Sequence, residues 1–425
     1  MKLESLKGFR DFYAPEMAAR RKVFDVVDDV ARSYGFREVD TPSLERLALY
    51  EVKSGEEIVD ETYSFEDKGG RMVTLTPELT PSLARMYVAR HQALAKPVRW
   101  YSTPKLWRYE QPQSGRLREF YQPNFDVFGV DGPEATAELI ALAHDLLRSL
   151  GLDDEFEFRV SHRGLVDAYL DAYDLTDGER ETVHRVVDRS ERLTDEETRD
   201  RLSDAGLSDA EVDEIIGLCD AGGSLSSDVV EEYGERAPSD ASDVVDALAG
   251  VTRELEAYGV LDSCVFDPSV VRGMDYYTGV VFECFDVDGD LRAIFGGGRY
   301  DGLIEEFGGP STPAVGFGLG DATLELLLRR SDAWPDERVE VDYYVAVVGD
   351  VREVAVRVAS ALRDDGADVE LDVSGRGFTG QLEHADRVNA RETVIVGERD
   401  LADDVVTVKE MESGDQRRVP LEDVL

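Results

Sequence analysis

Acidic side chains outnumber basic ones 91 to 47 in this 425-residue sequence, a net charge of −44. Any compact state must hold that much like charge together. Charge of this density is the usual mark of disorder, but 42% hydrophobic content supplies enough apolar surface for real cores. The two demands are reconciled in concentrated salt, where at about 1 M the screening length falls to about 3 Å. A folded, salt-adapted protein is therefore expected. Its basic residues are 39 arginines and only eight lysines. Net charge alone argues against a nucleic-acid partner, so any such partner must be met by a local positive track.

Other classes are excluded quickly. No apolar run reaches the roughly 18 residues that a spanning helix needs, so no membrane is expected. The opening MKLESLKGFRDFYAPE has no apolar stretch, so no secretory leader is expected. Cys219, Cys264 and Cys284 form no CxxC, and the five histidines form no HxxxH pair. Neither a disulfide framework nor a structural metal site is indicated, and a reducing cytoplasm fits.

Along the chain, Val23, Val26, Val27 and Val30 fall on one helical face. A short strand is expected between Gly35 and Pro42 and another over 71–75. Thr76-Pro-Glu-Leu-Thr80 is expected to open a helix with an early proline. Further strands are expected at 98–102, at 105–111 paired with 118–130 across a Gln-Ser-Gly turn, and at 155–161. Helix 134–150 lies before the last of these. Residues 174–250 change texture, with little strand signal, a net charge of −16 and caps such as Thr194-Asp-Glu-Glu197. They read as a helical insertion. Strands resume near 266 and lead to a helix at 321–330. After a polar linker at 331–340, residues 341–425 alternate: strands at 342–348, 367–372, 393–396 and 404–409, with helices at 350–365 and 379–389. That pattern predicts a small α/β domain.

Three segments carry chemistry. Lys105–Arg118 holds four basic residues and one acid in an otherwise acidic chain. An arginine on a strand beside a glycine-bearing turn suits polyphosphate, because the planar guanidinium matches phosphate oxygens. An ordinary hairpin with solvated arginines would look the same. Arg272-Gly-Met-Asp-Tyr-Tyr-Thr-Gly279 sets an arginine, an acid and two phenols among glycines, either as a polar ligand pocket or as a glycine-rich turn. Gly296-Gly-Gly-Arg-Tyr-Asp-Gly302 permits close backbone approach to a ligand. That segment carries neither a GxGxxG nor a Walker A pattern, so it indicates neither a dinucleotide fold nor a P-loop.

Taken together these segments resemble the histidyl-tRNA synthetases. KGFRDF resembles the family's opening, GFREVDTP its dimer-forming motif 1 and TPELT its amino-acid loop. LWRYEQPQSGRLREFYQ resembles motif 2, RGMDYY and GGGRYDGL the two histidine signatures, and GFTGQLEHADRVNARETVIVGERDLADDVVTVKE the anticodon-binding domain. The resemblance covers nearly the whole chain in family order, and the acidity suggests a halophilic archaeon. It implies a class II catalytic domain over 1–330, a mixed and mainly antiparallel sheet flanked by helices with the helical insertion at 174–250. A linker at 331–340 and an anticodon-binding domain at 341–425 would follow. A cytoplasmic homodimer is implied, acting on L-histidine, ATP with Mg2+, and tRNA(His).

By the same resemblance Arg108 and Arg272 are the catalytic arginines facing the ATP α-phosphate. Glu78, Thr80 and Gln122 are implied at the histidine amino group, and Asp126, Tyr276 and Tyr277 around its imidazole. A glutamate is more usual where Asp126 stands. Glu110 and Arg116 are implied at the nucleotide, and Gln111 and Gln113 at the tRNA acceptor end. Motif 3 departs from its pattern: Gly318-Leu-Gly-Asp-Ala-Thr323 puts a threonine where an arginine is usual, and Arg299 is one candidate for the relocated role. A catalytically silent paralogue, serving as the regulatory subunit of ATP phosphoribosyltransferase or as a histidine or tRNA sensor, is the alternative. With 341–425 at a net −10, tRNA binding is expected to depend only shallowly on salt.

Overall fold

A computed structural model describes residues 3–51, 61–188, 190, 193–220, 222–271, 276–288 and 291–425. The chain divides into two compact units, residues 1–11 with 23–334, and residues 12–22 with 335–425.

The first unit is built on a nine-stranded sheet. From one edge its strands run Arg37–Glu38, Val98–Ser102, Asn124–Phe128, Ala314–Leu319, Phe295–Arg299, Val280–Asp286, Phe156–His162, Cys264–Phe266 and Gly223–Ser224. Pairing is antiparallel except for Arg37–Glu38 on Val98–Ser102 and Cys264–Phe266 on Phe156–His162. This is the mixed, mainly antiparallel sheet the sequence implies.

One face is filled by aromatic rings. Phe125 stacks on Phe317 with centroids 4.9 Å apart, Phe317 meets Phe295 at 5.1 Å, and Phe295 meets Phe158 at 6.0 Å. Helix Glu134–Ser149 covers this face with eleven buried residues, and Val23, Val27 and Val30 of helix Ala14–Ser33 join the same core. Truncating Phe317 to alanine would cost about 3–5 kcal/mol. Two of the three glycines of Phe295–Arg299 have a packing cause: a Cβ on Gly297 would lie 2.5 Å from both the Gly316 carbonyl and Phe317 Cβ, and one on Gly298 would lie 2.9 Å from Val281 Cγ1. Only glycine lets the three central strands close on one another.

Residues 163–258 contribute the helices Arg163–Leu170, Asp177–Val187, Asp195–Asp204, Asp209–Cys219, Ser227–Arg236 and Ser242–Tyr258. Capping boxes at Thr176/Glu179, Thr194/Glu197 and Ser208/Glu211 start three of them. Val183, Leu202, Ile215, Val230 and Leu248 share one continuous core with the sheet.

Three expected elements shift. The single strand expected over 118–130 is two, Glu119–Tyr121 and Asn124–Phe128, broken at Gln122-Pro123 because Pro123 has no N–H for a ladder. The first pairs with Lys105–Trp107 in a hairpin, which is shorter than the expected 105–111 strand, and the second enters the main sheet. The helix expected from Thr76 starts at Thr80 with Pro81 in its first turn, leaving Thr76–Leu79 outside it.

The second unit carries a five-stranded sheet in the order Val369–Leu371, Val341–Val348, Ala390–Gly397, Val405–Glu410, Gln416–Pro420. The first three are parallel and the last two antiparallel. Helices Arg352–Asp364 and Phe378–Arg387 complete the expected α/β pattern. Gln416–Pro420 was not expected, since its polar QRRVP sequence has the look of a loop. It is an edge strand with arginines turned outward, a common way to discourage edge-to-edge pairing. Among the described residues no helix is long and apolar enough to cross a membrane.

Candidate active site

Two adjoining cavities open on the sheet face opposite the aromatic core. The inner one, about 80 Å³, is lined by Glu78, Thr80, Arg108, Gln122, Asn124, Tyr276, Tyr277 and Tyr300, with Gly296, Gly316 and Gly318 beneath. The outer one, about 160 Å³, shares Arg108, Gln122, Gly296 and Gly318, and adds Glu110, Arg116, Phe120, Arg292 and Thr323. Residues scattered over more than two hundred positions of sequence thus converge, because central strands and the 105–121 hairpin deliver them to one place.

The inner cavity is a network of acids and phenols. Asp126, on Asn124–Phe128, is 1% exposed. Its Oδ1 accepts from the Tyr300 hydroxyl and, at 3.3 Å, from Thr80 Oγ1, while Oδ2 is buried with no hydrogen-bond partner. Burial pushes this carboxyl up to about 7, against the opposing pull of those two donors. A buried acceptor with nothing bound to it is expensive unless a ligand donor meets it. The Tyr276 hydroxyl donates to Glu78 Oε2 at 3.4 Å. Burial, then the Glu78 charge, holds the Tyr276 phenol well above its ordinary range, so it remains a donor at neutral pH. Tyr276 packs edge-on against Tyr277 at 5.2 Å and Tyr300 at 5.7 Å, which fixes the ring orientations.

The outer cavity is cationic. Arg108 Nε donates to the Pro77 carbonyl at 3.0 Å, which directs the guanidinium between the two cavities. Arg116 pairs with the buried Glu110. Arg118 Nε donates to the Glu110 carbonyl at 2.9 Å and its guanidinium lies 4.1 Å from the Tyr109 ring centre. The Arg118 backbone N–H donates to the Gly8 carbonyl at 2.9 Å, so the N-terminal segment clasps this loop. Arg10 reaches both oxygens of Asp321 at 2.9 and 2.7 Å, and Tyr121 N–H donates to the same carboxylate at 3.0 Å.

Of the residues singled out from sequence, Glu78, Thr80, Arg108, Gln122, Tyr276 and Tyr277 line the inner cavity, and Asp126 bonds to two of its walls. Glu110 and Arg116 line the outer one. Gln113 lies at a neighbouring shallow cavity with Gly115, Arg292 and Thr323, and Gln111 is exposed on the loop. Arg272 lies outside the described residues. Arg299 does not take over the motif 3 position. It is 7% exposed and its guanidinium is spent on the carbonyls of Gly132 and Val130 and on Asp301. Tyr300 and Arg292 were missed. Tyr300 stands inside GGGRYDGL and could have been found there; nothing in the sequence marks Arg292.

This fold and cavity pair define the catalytic unit of a class II aminoacyl-tRNA synthetase. Residues 8–324 match the family described as histidyl-tRNA synthetase, and residues 342–425 match the anticodon binding domain. A curated histidine–tRNA ligase of Natronomonas pharaonis is 54% identical over 98% of this chain and 96% of its own length. The one of Haloarcula marismortui is 50% identical with the same coverage. A crystal structure of histidyl-tRNA synthetase from Nostoc superposes with a TM-score of 0.83 at 23% identity, covering 100% of this chain and 99% of that one, and bears on the fold. The chain belongs to the histidyl-tRNA synthetase family. Its kinship with proteins of halophilic archaea agrees with the acidic surface.

Proposed function

We propose that the chain activates L-histidine with ATP to histidyl-adenylate and transfers the histidyl group to the 3′ end of tRNA(His). The observation that carries this is the small inner cavity walled by Glu78, Thr80, Tyr276, Tyr277 and Tyr300, two of whose walls, Thr80 and Tyr300, bond to the buried Asp126 and leave its Oδ2 without a partner among the described residues. In the first step the histidine carboxylate attacks the α-phosphorus and pyrophosphate leaves. The carboxylate is already ionised, so no base is needed, and positioning with charge stabilisation supplies the rate. Arg108, with Arg272, balances charge on the α-phosphate. Glu78, Thr80 and Gln122 hold the α-amino group, and Asp126, Tyr276 and Tyr277 orient the imidazole. In the second step the terminal ribose hydroxyl of tRNA attacks the adenylate carbonyl and AMP leaves.

Glu110 and Arg116 serve the nucleotide. A magnesium ion would neutralise phosphate charge there, and the buried Glu110 is a hard oxygen donor of the kind that holds it, with phosphates and water completing its shell. Gln111 and Gln113 meet the tRNA acceptor end. Residues 1–330, with an insertion at 174–250, act as catalytic domain, and 341–425 beyond the 331–340 linker read the anticodon, in a cytoplasmic homodimer. The kinship at 50–54% identity with histidine–tRNA ligases over nearly the whole chain favours this reading over the regulatory-subunit or sensor alternative. The test is charging of tRNA(His) with labelled histidine in molar KCl. Wild type charges it, and Arg108→Ala loses at least about a hundredfold in rate. Charging unaffected by R108A contradicts the assigned chemistry.

A further inference from the structure

The position where motif 3 usually carries its arginine is occupied here by a short, buried side chain. Thr323 is 4% exposed, and its hydroxyl donates to the Gly115 carbonyl at 3.2 Å. It is tied to the hairpin turn and brings no charge to the outer cavity. Another side chain comes to the same turn. A Cβ placed on Gly115 would lie 2.9 Å from Thr323 Oγ1 and 3.3 Å from Cδ of Arg292. Arg292 and Thr323 therefore flank one glycine. Both line the outer cavity, and both line the shallow cavity beside it.

The segment bearing Arg292 is anchored. Leu291 N–H donates to Oδ1 of Asp286 at 3.0 Å, and the other oxygen of that buried carboxylate pairs with Arg330 at 2.8 Å. Ile294 N–H donates to the Cys284 carbonyl at 2.7 Å as the chain enters Phe295–Arg299. Arg292 thus projects from a short stretch pinned at both ends. Among the described residues, the outer cavity is lined by three arginines, Arg108, Arg116 and Arg292, and by one carboxylate, Glu110. Arg116 is paired with Glu110, and Arg108 and Arg292 bring two further guanidinium groups to the same walls.

We propose that Arg292 binds the polyphosphate tail of ATP and supplies the cation that position 323 lacks. The inference rests on the reading that the chain activates histidine with ATP. A planar guanidinium offers parallel donors to phosphate oxygens, and a partly desolvated charge-assisted contact of this kind is strong. The cation comes from the stretch before a central strand instead of from the helix after motif 3, so the site keeps its charge while Thr323 closes the turn.

The test compares wild type, Arg292→Ala and Arg292→Lys in histidine-dependent ATP–pyrophosphate exchange, together with equilibrium binding of ATP and of AMP. The expected result is a KM for ATP raised about tenfold or more in R292A, a KM for histidine within about twofold, and partial recovery in R292K. ATP binding falls while AMP binding, which lacks the tail, holds. Unchanged ATP binding in R292A, or equal loss for ATP and AMP, overturns the proposal. Absence of exchange in wild type would instead sink the activation reading, and the ATP and AMP binding comparison would still decide Arg292.

Discussion

The hydroxyl of Tyr300 donates to Asp126 Oδ1 beneath the inner cavity, joining the GGGRYDGL segment to the strand that follows the hairpin. The bond leaves the other carboxylate oxygen without a partner, and it is this oxygen that the account gives to the substrate imidazole. Removing the donor in Tyr300→Phe should raise the KM for histidine about tenfold, since a hydrogen bond to a charged group contributes about 1.5–3 kcal/mol. The KM for ATP should stay within about twofold. Steady-state exchange kinetics with each substrate varied in turn give the answer, and a rise in the ATP constant alone would contradict the assignment.

The same carboxyl makes the fold's stability depend on pH. Its folded-state value is raised to about 7 from an ordinary value near 4, so between those limits the folded state holds a proton that the unfolded state has released. Stability from this group is full below about 4 and is lost as pH rises towards 7, by up to about 1.4 kcal/mol per unit. Asp126→Asn abolishes the titration and keeps an acceptor for Tyr300. Its unfolding midpoint should therefore gain on wild type progressively from pH 4.5 to 7.5 at constant KCl. His162, pushed down to about 4 by burial, works the other way, losing stability as pH falls from about 6.5. It is common to both proteins and cancels in the difference. A difference that does not change with pH would refute the buried-acid account.

Gly115 sits in the hairpin turn with φ of +72°, and a side chain there meets Thr323 at 2.9 Å. Gly115→Ala combines left-handed strain of about 1–2 kcal/mol with this clash. The loop must move off the outer cavity, so exchange should slow about tenfold, with the KM for ATP carrying most of the change. Kinetics indistinguishable from wild type would show that the turn does not shape the nucleotide site.

Much of the fold was legible because its elements obey simple periodicities. Strand Val98–Ser102 and helix Asp321–Arg330 fall where the pattern puts them, and the capped helices of 174–250 announce themselves by Thr-x-x-Glu. What escaped was set by tertiary context. Gln416–Pro420 is a strand because Val405–Glu410 pairs with it, against its own polar composition. The break at Gln122-Pro123 matters most for the site, since it lets one stretch serve both hairpin and sheet and turns Gln122 towards both cavities. Asp126, Glu78 and Tyr276 were recognisable through motifs, whereas Arg292 acquires meaning only from its closeness to Gly115 and Thr323, more than 170 and about 30 positions away.

Charge sets a further expectation. The 342–425 anticodon binding region belongs to a stretch whose net charge is −10 over 341–425, with arginines such as Arg417 and Arg418 already paired to Glu392, Asp400 and Asp403. Few phosphate counterions can be released on binding. The log–log dependence of tRNA affinity on KCl should be much shallower than the slope near −9 expected for ten contacts on a duplex, or about −7 on single strands. Filter binding across a KCl series measures it, and a slope of that steepness would contradict the expectation.

The central claim is selective activation of histidine at the paired cavities, and ATP–pyrophosphate exchange with each of the twenty amino acids tests it most directly. With magnesium in molar KCl, exchange is expected with histidine alone, because an imidazole combines the size of the small inner cavity with an N–H that can reach the buried Asp126 oxygen. Exchange with another amino acid at a comparable rate, or none with histidine while histidine still binds, would contradict it.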